Sequence, residues 1–315
     1  MSPPLVSIVL PTYNRSCYLD QTVASCLEQT YPNWELVIVD DASTDDTPQK
    51  IAAYVARDAR IRSLRHETNR KLPAALNTGF DAARGELFTW TSDDNLYRPS
   101  AIEETVQFLH THCEVHCVCT DFTMIDHAGN PFQSCRAGEP EDLVHGNSLG
   151  PCAVFRRQVY FGLGGYDEGM FLAEDYDFYL RMAAKFRIGL LHRDLYQYRI
   201  HGGALTHLHG KKIDEQLSRA LERSLWDLPW SGPGDRARAL ARAADFVALC
   251  GNSRLARRYL LQSFRASPAV AARHSRLPLL LRCVIGCSAA GYAKRFRDTL
   301  FGRRRLRGRS TRAIG

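Results

Sequence analysis

The chain has 315 residues, of which 45% are apolar, 24% charged and 10% aromatic. This is ordinary globular composition, which excludes a collagen-like, mucin-like or wholly disordered chain, and the length suits one large domain with a small addition or two modest ones. The formal charge of +7 is uneven: residues 1–253 hold 25 basic against 33 acidic residues, and residues 254–315 hold 16 basic residues and one acidic, Asp298.

In chain order, Val6–Leu10 is a short β-branched run ending at Pro11 and reads as a buried parallel strand. Tyr18 to Gln29 has Leu19, Val23, Cys26 and Leu27 on one helical face. Leu36–Val39 is a second strand. Thr47 to Val55 is a helix entered through Asp and Thr residues, with Pro48 in its first turn. Ile61–Leu64 is a third strand, Ala74–Ala83 a helix and Leu87–Thr91 a fourth strand, and Pro99 opens a helix to about His110. This alternation predicts an α/β fold, a mostly parallel sheet with helices on both faces. Ligands of such sheets bind beyond the carboxyl ends of the strands. Thr12 and Asn14, Asp40 and Asp41, and Asp93 and Asp94 fall there. From Val115 to about Leu149 the pattern is strand-like and loop-like, with a turn at Gly129-Asn130-Pro131. A helical segment surrounds Arg156–Phe161, and Glu174–Lys185 is a strong helix. Asp227–Pro233 reads as a connector. Beyond it, 236–266 is Ala-, Leu- and Arg-rich and helical, broken near Gly251-Asn252.

Four motifs stand in series: Val6-Ser-Ile-Val-Leu-Pro-Thr-Tyr-Asn14, Val37-Ile-Val-Asp-Asp-Ala-Ser-Thr-Asp45, Thr91-Ser-Asp-Asp-Asn95, and Ala173-Glu-Asp-Tyr-Asp177 followed by Leu180-Arg181. In this order the chain resembles the family 2 inverting glycosyltransferases with the nucleotide-sugar-binding GT-A fold, from about Leu5 to Thr206. Each motif alone is weak; the series is specific. The resemblance implies a catalytic domain over 1–226, with a nucleotide-sugar half to about 115 and an acceptor half over about 116–226. A basic helical C-terminal extension would follow over 227–315.

For the donor, the resemblance puts Pro11, Thr12 and Asn14 at the base and ribose, with Asp41 accepting from the base or ribose. Asp40, Asp41, Ser43 and Asp45 also suit plain turn and cap residues. Asn77 is a weaker donor contact, as are Asn69 and Arg70. Two adjacent carboxylates at a strand end, Asp93-Asp94, repel unless a cation or hydrogen bonds compensate. A divalent metal (Mn2+ or Mg2+) bridging the diphosphate of a nucleoside-diphosphate sugar does so and supports the leaving group. The family's DXD pattern is met by Ser92-Asp93-Asp94, with serine at the first acidic position. Asp94 is then the direct ligand and Asp93 lies nearer the ribose. Inversion needs one general base. The family pattern puts it in Glu174-Asp175, with Asp175 as base and Glu174 holding the acceptor or orienting the base. The late segment Tyr198-Arg199-Ile200-His201 resembles the family's late loop, which implies that His201 completes the metal shell or meets the diphosphate and that Arg199 contacts the diphosphate; Gly202-Gly203 would allow the loop to close.

The implied activity is transfer of a sugar, expected to be UDP-linked, to a hydroxyl of a glycan or lipid-linked acceptor in cell-surface polysaccharide synthesis. The alternative is an inactive nucleotide-sugar-binding or scaffold protein. His110, His112, Cys113, His116, Cys117 and Cys119 resemble a zinc cluster, but a strand over 115–122 puts Cys117 and Cys119 on one core-facing side. With no basic leader or long apolar run at the start, the ten cysteines are expected to be thiols in a reducing cytosol. The last stretch, Leu277 to Ala293, is apolar but interrupted by Arg282, and a dense Arg run follows it. It suits either a helix lying on an anionic inner membrane leaflet or a helix packed on the body with a solvated end. Nucleic acid is not an expected partner, because the tail lacks interleaved aromatics or a known module.

Overall fold

The computed structural model describes residues 3–274. The apolar and basic stretch 277–315, for which membrane docking was one of two readings, lies outside the described residues.

The first half follows the expected alternation: β1 Val6–Thr12, α1 Ser16–Leu27, β2 Trp34–Asp40, α2 Thr47–Arg57, β3 Ile61–Arg65, α3 Leu72–Ala82, β4 Leu87–Trp90, β5 Leu96–Tyr97 and α4 Ala101–Thr111. The second half contains β6 Cys117–Ile125, β7 Pro131–Cys135, a 3-10 turn at Pro140–His145, β8 Ala153–Arg156, α5 Arg157–Leu163, α6 Glu174–Lys185 and β9 Ile188–Arg199. Five helices follow at the C-terminal side: α7 Leu205–Leu208, α8 Gly210–Ser224, α9 Pro233–Leu249, α10 Ser253–Ala266 and α11 Pro268–His274.

The nine strands of the described residues form one sheet in the order β3-β2-β1-β4-β8-β6-β9-β5, with β7 also on β6. β3, β2, β1 and β4 are mutually parallel. β8 runs antiparallel to both β4 and β6 and joins this half to the parallel pair β6 and β9. The period-2 alternation of strand side chains divides the core. Val6, Ile8 and Leu10 of β1, with Leu36 and Ile38 of β2, pack on the side of α1 and α4 against Leu19, Val23 and Ile102. Val9, Val37 and Val39 face the other side, with Leu76 and Phe80 of α3. Full burial of one such side chain contributes about 1.5–3 kcal/mol, so these strands anchor the domain. α3 lies so close to β1 that a Cβ at Gly79 would overlap Val9 Cγ1.

Pro11 does not end β1; the strand continues to Thr12, with Pro11 opposite Val39. Val9 O accepts from Thr91 N at 3.0 Å, so alternate residues Val9 and Pro11 face the β4 side. β4 has ended at Trp90, and the N–H that proline lacks costs no ladder bond. β9 was not legible as a strand because its register with β6 shifts twice between Thr120 and Phe122, leaving His192 and Arg193 exposed in a bulge that breaks the alternation.

The C-terminal helices share the core of the second half of the sheet. Leu240, Ala243, Phe246 and Val247 of α9 and Tyr259 of α10 belong to the same buried cluster as Tyr176 and Leu180 of α6. Tyr176 meets Phe246 edge-on, with ring centroids 6.0 Å apart. Gly146 makes this possible: its φ of 124° suits glycine, and a Cβ there would press on Phe246 at 3.1 Å. Cys117 and Cys119 are fully buried in this core with their sulfurs 4.0 Å apart, as small core residues.

Candidate active site

The carboxyl ends of β1, β2 and β4 carry the donor-side residues. Asn14 has a φ of 52° and joins two loops. Its N–H donates to Ser43 Oγ at 2.9 Å, and its Oδ1 accepts from Thr44 N at 2.7 Å. It shapes the rim between β1 and β2. Asp40 accepts from Ser43 N and pairs with Arg65 at 2.9 Å. Asp41 is buried and engaged at both oxygens: Oδ1 meets Arg70 N at 2.8 Å and His66 Nδ1 at 2.7 Å, and Oδ2 accepts from Lys71 N at 2.8 Å. Asp41 therefore pins the 66–71 loop, including Lys71 at a φ of 75°. His66, which continues to Thr78 Oγ1 at 2.9 Å, had no signal in the sequence, because only the fold brings it to Asp41.

Asn77, expected at the donor, is turned elsewhere. Its Nδ2 donates to Tyr166 O and its Oδ1 accepts from Tyr166 N, at 2.9 and 2.8 Å. It ties α3 to the segment before α6.

Asp93 and Asp94 follow β4. Burial, and then the charge of Asp94, push the Asp93 carboxyl up to about 7, against the pull of Thr12, Arg15 and the Tyr13 amide. Asp94 Oδ2 lies 2.9 Å from His201 Nε2, with both side chains largely enclosed. Gly203 N donates to His201 Nδ1 at 3.2 Å, so in this arrangement the ring proton sits on Nε2 and faces Asp94. Arg15 donates to Gly203 O. It was not singled out in the sequence, yet it fastens the 201–203 loop beside the acidic pair and adds a positive charge there.

Arg199 corrects the expected diphosphate contact. Its exposure is 1%, and its donors point inward. Nε donates to Asp94 O at 2.8 Å, Nη1 to Asp126 O and His127 O at 3.2 and 3.1 Å, and Nη2 to Gln21 Oε1 at 2.7 Å. The guanidinium also lies 4.8 Å from the Tyr18 ring centroid. It rivets β9, α1 and the Asp94-Asn95 turn together and is sealed from any ligand.

Among the described residues no group of three or more His, Cys, Asp or Glu is placed to hold a metal. A hard dication that keeps waters and substrate phosphates needs only one or two protein ligands. Asp94 and His201, converging at 2.9 Å, fit that requirement, with Asp93 behind them.

Glu174 and Asp175 open α6. Glu174 Oε2 accepts from Leu172 N at 2.7 Å, across a Leu172 held at a φ of 79°. Burial and the charge of Asp175 push Glu174 up to about 8. Burial also raises Asp175, opposed by the Tyr176 amide and by Asn147, whose Nδ2 donates to Asp175 Oδ2 at 2.8 Å. Asp175 lines a cavity of about 580 Å³ between β6, the 142–151 segment and β9 on one side and helices α8 and α9 on the other. Tyr198 lines the same cavity, and the next residue of β9, Arg199, holds Asp94 and, through its N–H, Asn95 Oδ1 at 2.8 Å. The two acidic pairs thus flank one strand end.

Residues 7–161 match the family described as Glycosyl transferase family 2. The chain is 31% identical over 148 residues to the putative teichuronic acid biosynthesis glycosyltransferase TuaG of Bacillus subtilis, covering 46% of this chain and 57% of TuaG. It is 31% identical over 231 residues to an uncharacterized protein of Sinorhizobium fredii, covering 70% of this chain but only 25% of that longer protein. Among solved structures, S. aureus TarS 1-349 in complex with UDP-GlcNAc matches with a TM-score of 0.65 at 18% identity, covering 94% of this chain and 92% of that one. The mannosyltransferase PcManGT from Pyrobaculum calidifontis, in complex with GDP-Man and Mn2+, matches with a TM-score of 0.61 at 20% identity, covering 95% and 83%. At these identities the structural likeness concerns the fold.

Proposed function

The chain belongs to the family 2 glycosyltransferases, and on that premise we propose that it moves a sugar from a nucleoside-diphosphate sugar to an acceptor hydroxyl with inversion at the sugar carbon. The observation that carries this reading is the pairing of two differently furnished carboxylate sites across β9. Asp93-Asp94 has His201 and Arg15 about it, and Asp175 opens on a cavity.

On the donor side, Pro11 and Thr12 end β1 beneath the nucleotide, and the loops pinned by Asn14 and Asp41 form the walls of its pocket. Asp94 and His201 would hold a divalent metal, with Asp93 behind them; such an ion supplies Lewis-acid stabilisation of the departing diphosphate. To ligate through Nε2, His201 would have to carry its ring proton on Nδ1 instead, giving up the hydrogen bond that Nδ1 now accepts from Gly203 N. Arg15 offers fixed positive charge to the same phosphates. On the acceptor side Asp175 takes the hydroxyl proton as the acceptor oxygen attacks. Its raised pKa suits a base, since proton acceptance improves as the pKa nears the operating pH. Glu174 holds Leu172 and, protonated at neutral pH, spares Asp175 a second adjacent charge.

The complexes of TarS with UDP-GlcNAc and of PcManGT with GDP-Man and Mn2+ support a nucleotide-sugar donor and a divalent ion, and UDP is the favoured nucleotide. The name of TuaG supports an acceptor in cell-surface polysaccharide synthesis. No helix among the described residues is long and apolar enough to cross a membrane, and peripheral attachment through 277–315 stays a proposal.

The test is release of nucleoside diphosphate from a panel of UDP-, GDP- and dTDP-sugars, with Mn2+, with Mg2+ and with chelator. One donor is expected to be turned over, and only with metal. Release from none under any condition overturns the reading; release undiminished by chelator removes the metal from it.

A further inference from the structure

The cavity beside Asp175 has the wrong chemistry for an acceptor that is sugar throughout. Most of its polar lining lies in one short segment, Asp142 to Ser148, with Asp175 hydrogen-bonded to Asn147; Tyr198 of β9 and Asp214 of α8 add one polar side chain each. Apart from these groups the wall is formed largely by Phe122 and Met124 of β6, Ile213 and Leu217 of α8, and Phe246 and Leu249 at the end of α9. A sugar hydroxyl desolvated against such a wall finds no partner and is penalised, whereas a hydrocarbon is not. Phe122, Leu172, Ile213 and Leu217 are only half-buried, so this is apolar surface that the described residues leave uncovered. Leu172 is held against the cavity in a left-handed conformation by the carboxylate of Glu174, a strain that persists only where the surroundings enforce it. The volume of about 580 Å³ is that of a small-molecule site.

We propose that this cavity binds the hydrocarbon portion of an amphipathic acceptor, so that its hydroxyl end is presented to Asp175 and its apolar portion lies against α8 and α9. The inference rests on the transferase reading for the word acceptor and on the cavity alone for the apolar ligand. It makes α8 and α9 a specificity element. Ile213 and Leu217 sit one turn apart on α8 and select for chain length and bulk, because each methylene buried against them adds about fourfold in affinity.

The full chain is titrated with N-phenyl-1-naphthylamine, whose fluorescence rises in an apolar site, and the probe is then competed with octyl β-glucoside below its micellar concentration or with methyl β-glucoside. Saturable uptake is expected, displaced by the octyl compound at least about tenfold more effectively than by the methyl compound. Ile213→Glu is expected to weaken uptake about tenfold or more. Leu217→Gln is a second, uncharged variant at another half-buried position, expected to weaken it less. Circular dichroism and nucleotide affinity are measured on both to show that fold and donor site persist. Absence of uptake by the full chain overturns the proposal. So does uptake that both variants leave unchanged, which puts the probe elsewhere, or equal displacement by the two glucosides, which marks a sugar site. If the probe behaves as expected but no donor is turned over in the panel described above, the transferase reading fails by itself and the apolar binding site stands.

Discussion

Asp93-Asp94 and Glu174-Asp175 are the same kind of pattern in the sequence, two adjacent carboxylates at the edge of an element, and the fold gives them different surroundings. In each pair one member is buried and its carboxyl raised, Asp93 to about 7 and Glu174 to about 8. The other member is the one that the proposed mechanism offers to a ligand, and of these two Asp175 is raised as well. Asp94 meets an imidazole, with Arg15 close by. Asp175 meets a neutral amide and an apolar cavity. A site furnished with cationic and metal-ligating groups handles phosphate and metal; a carboxylate desolvated beside neutral donors accepts a proton. On the proposed reading, chemistry is assigned by the second partner of each carboxylate, which the dipeptide itself does not encode.

The sharpest way to break this contrast is Asp175→Asn. It should keep nucleotide binding, measured by calorimetry, and lose transfer by about 10²–10⁴-fold, the usual cost of a missing general base. Near-normal turnover would end the assignment of Asp175. Asp94→Ala should do the opposite. The fold survives by circular dichroism, and nucleotide affinity in Mn2+ falls about 10–100-fold or more, the scale set by loss of a metal site's supporting partner. Affinity that is unchanged, or equally reduced in chelator, takes Asp94 out of the metal site.

Arg199 tests the distinction between rivet and ligand. Arg199→Leu removes the side-chain donor from the carbonyls of Asp94 and His127, while Asp126 O keeps the N–H of Gly129 at 3.0 Å; a lost hydrogen bond of this kind costs about 1 kcal/mol. A loss of about 2 kcal/mol in denaturant unfolding is expected, and Arg199→Lys should not restore it, since an ammonium lacks the planar fork. A variant of normal stability with weakened nucleotide binding would return Arg199 to the diphosphate.

The smallest effect concerns pH. Because the folded-state pKa of Glu174 is raised from 4.5 to about 8, the folded protein holds a proton that the unfolded chain has released over that range. The group's contribution to stability is then fully present below about pH 4.5 and is lost as pH rises towards 8. Glu174→Gln should therefore unfold at a higher temperature than the parent at pH 8 and show no such advantage at pH 4.5. An advantage of the same size at both values would mean that Glu174 is ionised throughout.

Much of the donor half was legible because local rules and the fold agree there. β-branched runs bounded by polar turns encode buried parallel strands, so β1 to β4 and their helices were recognisable. α6 begins and ends as its pattern suggested, at Glu174 and Lys185. The four motifs carried the family, since each sits at a strand or helix end where backbone geometry restricts the residue types. What the sequence could not determine is which way a polar side chain turns. Asn77 and Arg199 are as polar as Asn14 and Arg15, but Asn77 is spent on the Tyr166 backbone and Arg199 on carbonyls from two distant turns. His66 and Asn147 acquired their carboxylate partners from 25 and 28 residues away. β9 hid because its register shifts belong to its pairing with β6, a property of two strands rather than one. The cavity is more remote still, since its walls come from β6, the 142–151 segment, α6, β9, α8 and α9. Local composition decides which residues become strand, helix or turn, because those choices are settled over a few neighbours. Contacts between side chains far apart in the chain are settled only when the sheet closes and the C-terminal helices pack upon it, and those contacts decide what each carboxylate does.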